Sequence, residues 1–167
     1  YPRIVGETGG KDFILAHPSA NPDEVATAIV RGSFEYQGQK CSASSRLYIP
    51  SNIWPAVRER VAADTASIKV GDVSDFSNFM GAVIDGASFA TQRDAIAEAR
   101  AAGAEIVVGG GTDDSEGWFV DPTVVETSDP EFRLMRDELF GPVVTAYVYD
   151  ERRWSETLRL VDQTGTY

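Results

Sequence analysis

The chain has 167 residues, 43% apolar and 25% charged, a balance ordinary for a soluble globular domain with a real core. Its 26 acidic and 15 basic side chains give a formal charge of −11, which repels phosphate backbones and anionic lipid and so excludes nucleic acid and membrane as expected partners. One cysteine and one histidine leave no intramolecular disulfide and no Cys/His zinc cluster, so a reducing compartment and no metal are expected.

Nothing approaches a run of about 18 uncharged apolar residues, so no transmembrane helix is expected, and no signal-peptide pattern opens the sequence. The chain begins at Tyr1 without a Met and stops at Tyr167 just after a predicted helix. The expectation is therefore a segment of a longer protein.

In chain order, Asp12 to Ala16 is a short apolar run that reads as a strand, stopped by His17-Pro18. Asn21-Pro22-Asp23 is a helix start, with a capping side chain followed by Pro in the first turn. Val25, Ala26, Ile29, Val30, Ser33 and Phe34 recur at helical spacing, which predicts a helix to about Tyr36, ended by Gly38. Arg46 to Pro50 alternates as a strand. Trp54 to Ser67 reads as a second helix, with Pro55 tolerated in its first turn. Val70 to Gly86 is a loop-rich crossing with a turn at Gly71-Asp72.

Ala87 to Ala102 is an amphipathic helix with Phe89, Ile96 and Ala99 among its apolar positions, closed by Gly103. Ile106 to Val108 is a short strand, followed by a turn at Gly109-Gly110-Gly111. Trp118 to Val125 contains a strand interrupted by Pro122, which predicts an edge position or a bend. Val143 to Tyr149 is a strong strand, and Glu151 to Asp162 a final helix ending near Gly165. Strands alternating with helices in this way predict an α/β fold, with βαβ units and a mainly parallel sheet.

Three short segments could carry chemistry. Cys41 follows the first helix in Gly38-Gln39-Lys40-Cys41-Ser42-Ala43. A lone cysteine is either a buried structural thiol or a nucleophile. Gly38 permits a close backbone approach, and Lys40 brings a positive charge that favours a thiolate if its side chain points that way. A cysteine-protease pair is disfavoured, because the single histidine, His17, reads as a loop residue beside Pro18. Gly6-Glu7-Thr8-Gly9-Gly10-Lys11 places a mobile acid beside glycines. It is no phosphate loop, since Asp12 stands where a hydroxyl is needed. Gly109-Gly110-Gly111 opens no helix and makes no dinucleotide fingerprint. Asp137-Glu138-Leu139-Phe140-Gly141-Pro142 sets a carboxylate two residues from an aromatic ring, which suits a ribose and a planar heterocycle and equally suits an acidic turn.

Together and in this order, the three segments resemble the aldehyde dehydrogenase superfamily. Glu7-Thr8-Gly9-Gly10-Lys11 is similar to its Glu-x-Gly-Gly-Lys motif, Gly38-Gln39-Lys40-Cys41 to its Gly-Gln-x-Cys motif, and Glu138-Leu139-Phe140-Gly141-Pro142 to its Glu-[Ile/Leu]-Phe-Gly-Pro motif. The resemblance covers the whole chain. It is sharpest, through Phe34 to Ala43, Ser45 to Tyr48, Ile68 to Asp72, Ala82 to Asp85 and Asp137 to Tyr149, within the branch that oxidises glutamate-γ-semialdehyde.

The resemblance implies the three-layer catalytic domain of that fold, a mainly parallel twisted sheet with helices on both faces. It implies Cys41 as nucleophile and Glu7 as hydrolytic base. Glu138 and Phe140, with Thr8 and Gly9, would meet a NAD cofactor, NADP not being excluded, and Ser42 would contact a small-molecule aldehyde. Residues 1–167 are then a catalytic-domain segment. Most of the coenzyme-binding fold would lie upstream, and the substrate-anchoring loop and oligomerisation region downstream. The resemblance further implies a homo-oligomer of the full-length protein, located in the cytoplasm of a bacterium or the mitochondrial matrix of a eukaryote. Two alternatives stand beside it: another aldehyde as substrate, and a folded segment inactive by itself.

Overall fold

A computed structural model describes residues 1–164 of the chain. Five strands form one sheet in the order β1 (Phe13–Leu15), β2 (Arg46–Pro50), β7 (Val143–Tyr149), β6 (Thr123–Thr127) and β3 (Glu105–Val108). The first three pairings are parallel, and β3 alone runs antiparallel, against β6. β4 (Thr112–Asp113) and β5 (Phe119–Val120) make a separate two-stranded ribbon.

Helices cover both faces, as the α/β pattern requires. On one face lie α1 (Pro22–Phe34) and α2 (Trp54–Ala66), whose Ile29, Val57 and Val61 bury against Leu47, Ile49, Val144 and Ala146. The other face carries α3 (Gly86–Ala101), α4 (Arg133–Arg136) and α5 (Trp154–Thr164). Phe89 and Ile96 of α3 pack with Val125 and Val143, and Met135 and Val161 pack with Tyr48 and Tyr149. Each fully buried aliphatic side chain contributes about 1.5–3 kcal/mol. Successive residues of a strand point to opposite faces, so Leu47 and Tyr48 serve different layers. All five residues of β2 are buried, which makes it an interior strand enclosed on both faces.

The local signals behave as their chemistry demands. Asn21 Oδ1 accepts from the Asp23 N–H at 2.9 Å and starts α1, and Asp85 Oδ1 accepts from the Ser88 N–H at 2.8 Å and starts α3. Gly103, at φ +78°, ends α3.

Three expectations are refined by the structure. The first helix ends at Phe34, because Tyr36 and Gln37 turn into the left-handed region at φ 54° and 57°. Of the two alternatives at Pro122 the bend holds: β5 ends before it, and a second strand, β6, begins just after it. The proline lies in the break between β5 and β6, so its missing N–H costs no ladder bond and β6 pairs on both sides. The final helix begins as a 3-10 turn at Glu151–Arg153, and its predicted end at Gly165 lies outside the described residues.

Candidate active site

β1, β2 and β7 are adjacent and parallel, so the segments entering them emerge on one side of the sheet. Those segments are the three singled out in the sequence: Glu7 to Lys11 before β1, Gly38 to Ser45 before β2, and Glu138 to Pro142 before β7. They converge on a cleft of about 680 Å³ lined by Glu7, Thr8, Gly9, Gln39, Cys41, Ser42, Glu138 and Phe140, with Lys40 at its side. Thirty-four positions separate Glu7 from Cys41, and ninety-seven separate Cys41 from Glu138. The topology closes both gaps.

Cys41 is exposed to this cleft, which removes the alternative of a buried structural thiol. Its loop closes through the Ala43 N–H, which donates to the Lys40 carbonyl at 3.0 Å. Behind it, Tyr36, Gln37 and Gly38 hold positive φ in succession, a strained path of the kind that persists where surrounding contacts over-determine it. The contacts are present. Gln37 Nε2 donates to the Ala82 carbonyl at 3.2 Å and its Oε1 accepts from the Gly81 N–H at 3.2 Å, while Gln39 Oε1 accepts from the Ile84 N–H at 2.9 Å. Two glutamine side chains thus fasten the Cys41 loop to residues 81–84. Lys40 takes another course: its Nζ donates to Glu35 Oε2 at 3.2 Å, so its charge is engaged there. Lys40 and Arg31 hold the Glu35 carboxyl below its ordinary range.

The Glu138 segment is supported from below. Gln92 of α3, fully buried, donates from Nε2 to the Leu139 carbonyl at 2.7 Å. That bond fixes the turn in which Phe140 adopts φ 55° and leaves its ring half-exposed. Arg133 clasps Glu98 at 2.6 Å and Asp137 at 3.3 Å, tying α3 to the approach of Glu138.

Two close approaches join the segments. The Gly10 N–H donates to Glu138 Oε1 at 3.0 Å, and a Cβ on Gly10 would stand 2.9 Å from the Cys41 carbonyl oxygen. A Cβ on Gly38 would collide with the Gly141 carbonyl. Glycine is required at both places by backbone-to-backbone contact.

Two residues bearing on the site were given no role of their own by the sequence, although Lys11 closes one of its motifs. Lys11 is buried, and its Nζ finds no hydrogen-bond partner among the described residues. Burial pushes its ammonium down to about 8, with the neighbouring Arg46 acting in the same direction. Gln92 looked like one more polar position on an amphipathic helix. His17 lies beyond the carboxyl end of β1, away from the cleft, with Nδ1 2.8 Å from Ser19 Oγ. An open groove of about 470 Å³ beside α5 is lined by Tyr147, Arg153 and Leu160 among others, and none of the motif residues reaches it.

The Aldehyde dehydrogenase family profile matches residues 1–165. This chain belongs to the aldehyde dehydrogenase family. It is 49% identical, over 168 residues, to the mitochondrial delta-1-pyrroline-5-carboxylate dehydrogenase of Dictyostelium discoideum, and 46% identical over 169 residues to that of Homo sapiens. Either alignment covers 100% of this chain and 30% of the relative. The delta-pyrroline-5-carboxylate dehydrogenase of Mycobacterium tuberculosis, in a crystal structure bound with NAD, superposes with a TM-score of 0.90 at 46% identity, covering 100% of this chain and 30% of that one. The chain thus spans about 30% of the length of the curated relatives it matches.

Proposed function

We propose that the full-length protein bearing this chain oxidises an aldehyde to a carboxylate with NAD, by way of a thioester on Cys41. The observation that carries the reading is the single cleft onto which Cys41, Glu7, Glu138 and Phe140 all open. The residues fit a nicotinamide riboside. Glu138 offers a carboxylate with one oxygen already oriented by the Gly10 N–H, the half-exposed Phe140 ring gives a flat apolar face, and Thr8 and Gly9 leave a backbone that a ligand can approach closely. NAD, when bound, supplies the acceptor of a hydride.

The chain's own residues carry the rest. The Cys41 sulfur adds to the aldehyde carbon, a new C–S bond replaces the carbonyl π bond, and a thiohemiacetal results. The Cys41 backbone N–H is this segment's donor to the oxyanion. Loss of hydride from that carbon leaves a thioester. Glu7 then takes a proton from water, hydroxide adds to the thioester carbon, and the C–S bond breaks to free the acid and the thiol. Ser42, exposed on the cleft beside Cys41, contacts the substrate.

The substrate we assign is glutamate-γ-semialdehyde and the product glutamate, a step of proline breakdown. Support comes from relatives 44–49% identical and named delta-1-pyrroline-5-carboxylate dehydrogenases. On this reading the coenzyme-binding fold precedes the segment and the anchoring and oligomerisation regions follow it, so residues 1–167 alone turn nothing over. Several relatives are named mitochondrial, and the mitochondrial matrix in a eukaryote, or the cytoplasm in a bacterium, is the location proposed. Among the described residues no helix is long and apolar enough to cross a membrane.

The deciding test is Cys41→Ala in the full-length protein. The substitution removes one exposed sulfur and leaves the fold intact. NADH formation from glutamate-γ-semialdehyde should vanish while NAD⁺ binding persists. Undiminished oxidation by the folded variant would refute the assignment.

A further inference from the structure

Tyr36 and Gln37, shortly after the end of α1, hold left-handed backbone at φ 54° and 57°. That region is disfavoured for any residue with a Cβ, so local preference does not keep two such residues there in succession. The hold must come from outside the loop. Tyr36 is exposed and does not supply it. Gln37 is half-buried, and its carboxamide reaches 44 and 45 positions along the sequence. Its Oε1 accepts from the Gly81 N–H and its Nε2 donates to the Ala82 carbonyl, each at 3.2 Å.

The segment receiving those bonds is the fixed party. Met80 is buried in the core beneath α1 and α2, and Val83 in the core beneath α3. The Met80 N–H donates to the Lys69 carbonyl at 3.2 Å, and the Met80 carbonyl accepts from the Gly71 N–H at 3.0 Å. The Val83 N–H donates to the Trp118 carbonyl at 2.9 Å. Gly81 and Ala82 therefore lie between two core anchors. A carboxamide offers a donor and an acceptor together on a neutral group. At Gln37 it engages one N–H and one carbonyl of that backbone, and it brings no net charge towards Cys41.

We propose that Gln37 is a positioning residue: its carboxamide locks the left-handed turn before Gly38 to Gly81 and Ala82, and so sets where the Cys41 sulfur stands in the cleft. Gln39, which accepts from the Ile84 N–H at 2.9 Å, repeats the hold nearer the thiol. The inference rests on the reading of Cys41 as the nucleophile. Gln37 does not line the cleft, so it acts through the loop and touches neither substrate nor cofactor. Without its two bonds the turn relaxes towards ordinary backbone and Cys41 shifts. Glu138 and Phe140 keep their own supports, the Gly10 N–H and Gln92.

The experiment uses the full-length protein with NAD⁺ and glutamate-γ-semialdehyde. Single-turnover stopped flow, with protein in saturating excess over aldehyde, follows NADH formation and reports thiol addition and hydride transfer apart from product release. Fluorescence quenching gives the NAD⁺ dissociation constant. The proteins compared are wild type, Gln37→Met, Gln37→Gly and Cys41→Ala. Methionine keeps the length of the side chain and loses both bonds. Glycine loses both bonds as well, but accepts left-handed backbone without strain. Both Gln37 variants should bind NAD⁺ as wild type does. Both should form NADH more slowly, on the order of ten- to a hundredfold, as expected when a reacting atom is displaced by up to about 1 Å. A wild-type rate in either variant overturns the proposal. A fast Gln37→Gly beside a slow Gln37→Met would mean that backbone strain governs the loop and the carboxamide does not. NAD⁺ affinity that falls in step with the rate would make Gln37 a general support of the fold, and also overturns the positioning role. If Gln37→Met does not fold, Gln37→Gly decides alone. Cys41→Ala separates the two layers of argument. Undiminished oxidation by that variant overturns the nucleophile reading and this inference with it. Abolished oxidation there, beside wild-type rates in the Gln37 variants, overturns the role of Gln37 alone.

Discussion

Gly38→Ala tests the architecture that seats Cys41, the proposed nucleophile. Gly38 sits at φ +65°, so any Cβ begins with the left-handed penalty of about 1–2 kcal/mol. The new methyl would also overlap the Gly141 carbonyl and stand 2.8 Å from the Ser33 carbonyl oxygen. Both are backbone atoms and cannot rotate aside, so a further 1–3 kcal/mol or so of overpacking is expected. The sum is about 2–5 kcal/mol. Gly103→Ala is the control: φ is +78° but nothing lies within 4 Å, so only the conformational penalty remains. The two substitutions should differ by the steric part alone.

Thermal unfolding of the two full-length variants measures that gap. Aldehyde oxidation measures its consequence, since pushing the Gly38 and Gly141 segments apart moves Cys41 away from Phe140. A displacement of about 1 Å costs on the order of a hundredfold in rate. Gly103→Ala, remote from the cleft, should keep its activity. A Gly38→Ala protein as stable and as active as Gly103→Ala would show that the backbone contact between the two segments is not what holds the site.

Glu7→Gln should slow deacylation more than acylation, because glutamine keeps the shape but accepts no proton from water. Rapid mixing should then show a burst of NADH followed by a slow phase, and equal slowing of both phases would remove Glu7 as the base. Gln92→Leu deletes the buried donor to the Leu139 carbonyl and should destabilise the full-length protein by about 1–3 kcal/mol, read as a fall in Tm. An unchanged Tm would mean that the turn at Phe140 needs no such support. Residues 1–167 expressed alone should bind NAD⁺ far more weakly than the full-length protein in calorimetric titration, because on the proposed reading Glu138 and Phe140 reach only the nicotinamide end. Micromolar binding by the segment would contradict the proposed division of the cofactor site.

Much of this was legible because regular elements advertise themselves by period and punctuation. α1 carries its buried stripe at Val25, Ala26, Ile29, Ser33 and Phe34 between a capping asparagine and a glycine, and β7 is a continuous run of β-forming residues. What escaped has no period to display. α4 is four residues long, and β4 two. Pro122 left an edge and a bend as alternatives, because a proline marks that a ladder cannot pass through it, yet does not say on which side the next strand begins. The left-handed Tyr36 and Gln37 gave no sign, since neither residue type favours that region and tertiary contacts impose it. All seven motif residues expected at the site line one cleft. Of the side chains that hold them there, Gln37 and Gln92 looked like ordinary polar positions, and Gln39 stood in a motif that assigned its side chain no role.

The position of the cleft follows from strand order. Open parallel sheets commonly bind ligands beyond the carboxyl ends of their strands, where helices begin and present free N–H groups. Here the three segments enter β1, β2 and β7, so the cleft lies at the amino ends. At that end the crossing helix α1 finishes instead of starting, and it offers carbonyls rather than amides. The donors on this side must come from loops, as the Gly10 N–H does: it is already turned towards Glu138. A loop can present an amide to a ligand only when its path is held from behind. The side chains of Gln37 and Gln39, bonded to residues 81–84, and of Gln92, bonded to the Leu139 carbonyl, supply that hold without placing a fixed charge beside the thiol. The strained backbone, the unusual end of the sheet and the glutamine struts are therefore one arrangement, in which strand ends that lack helix amides are served by loop amides instead.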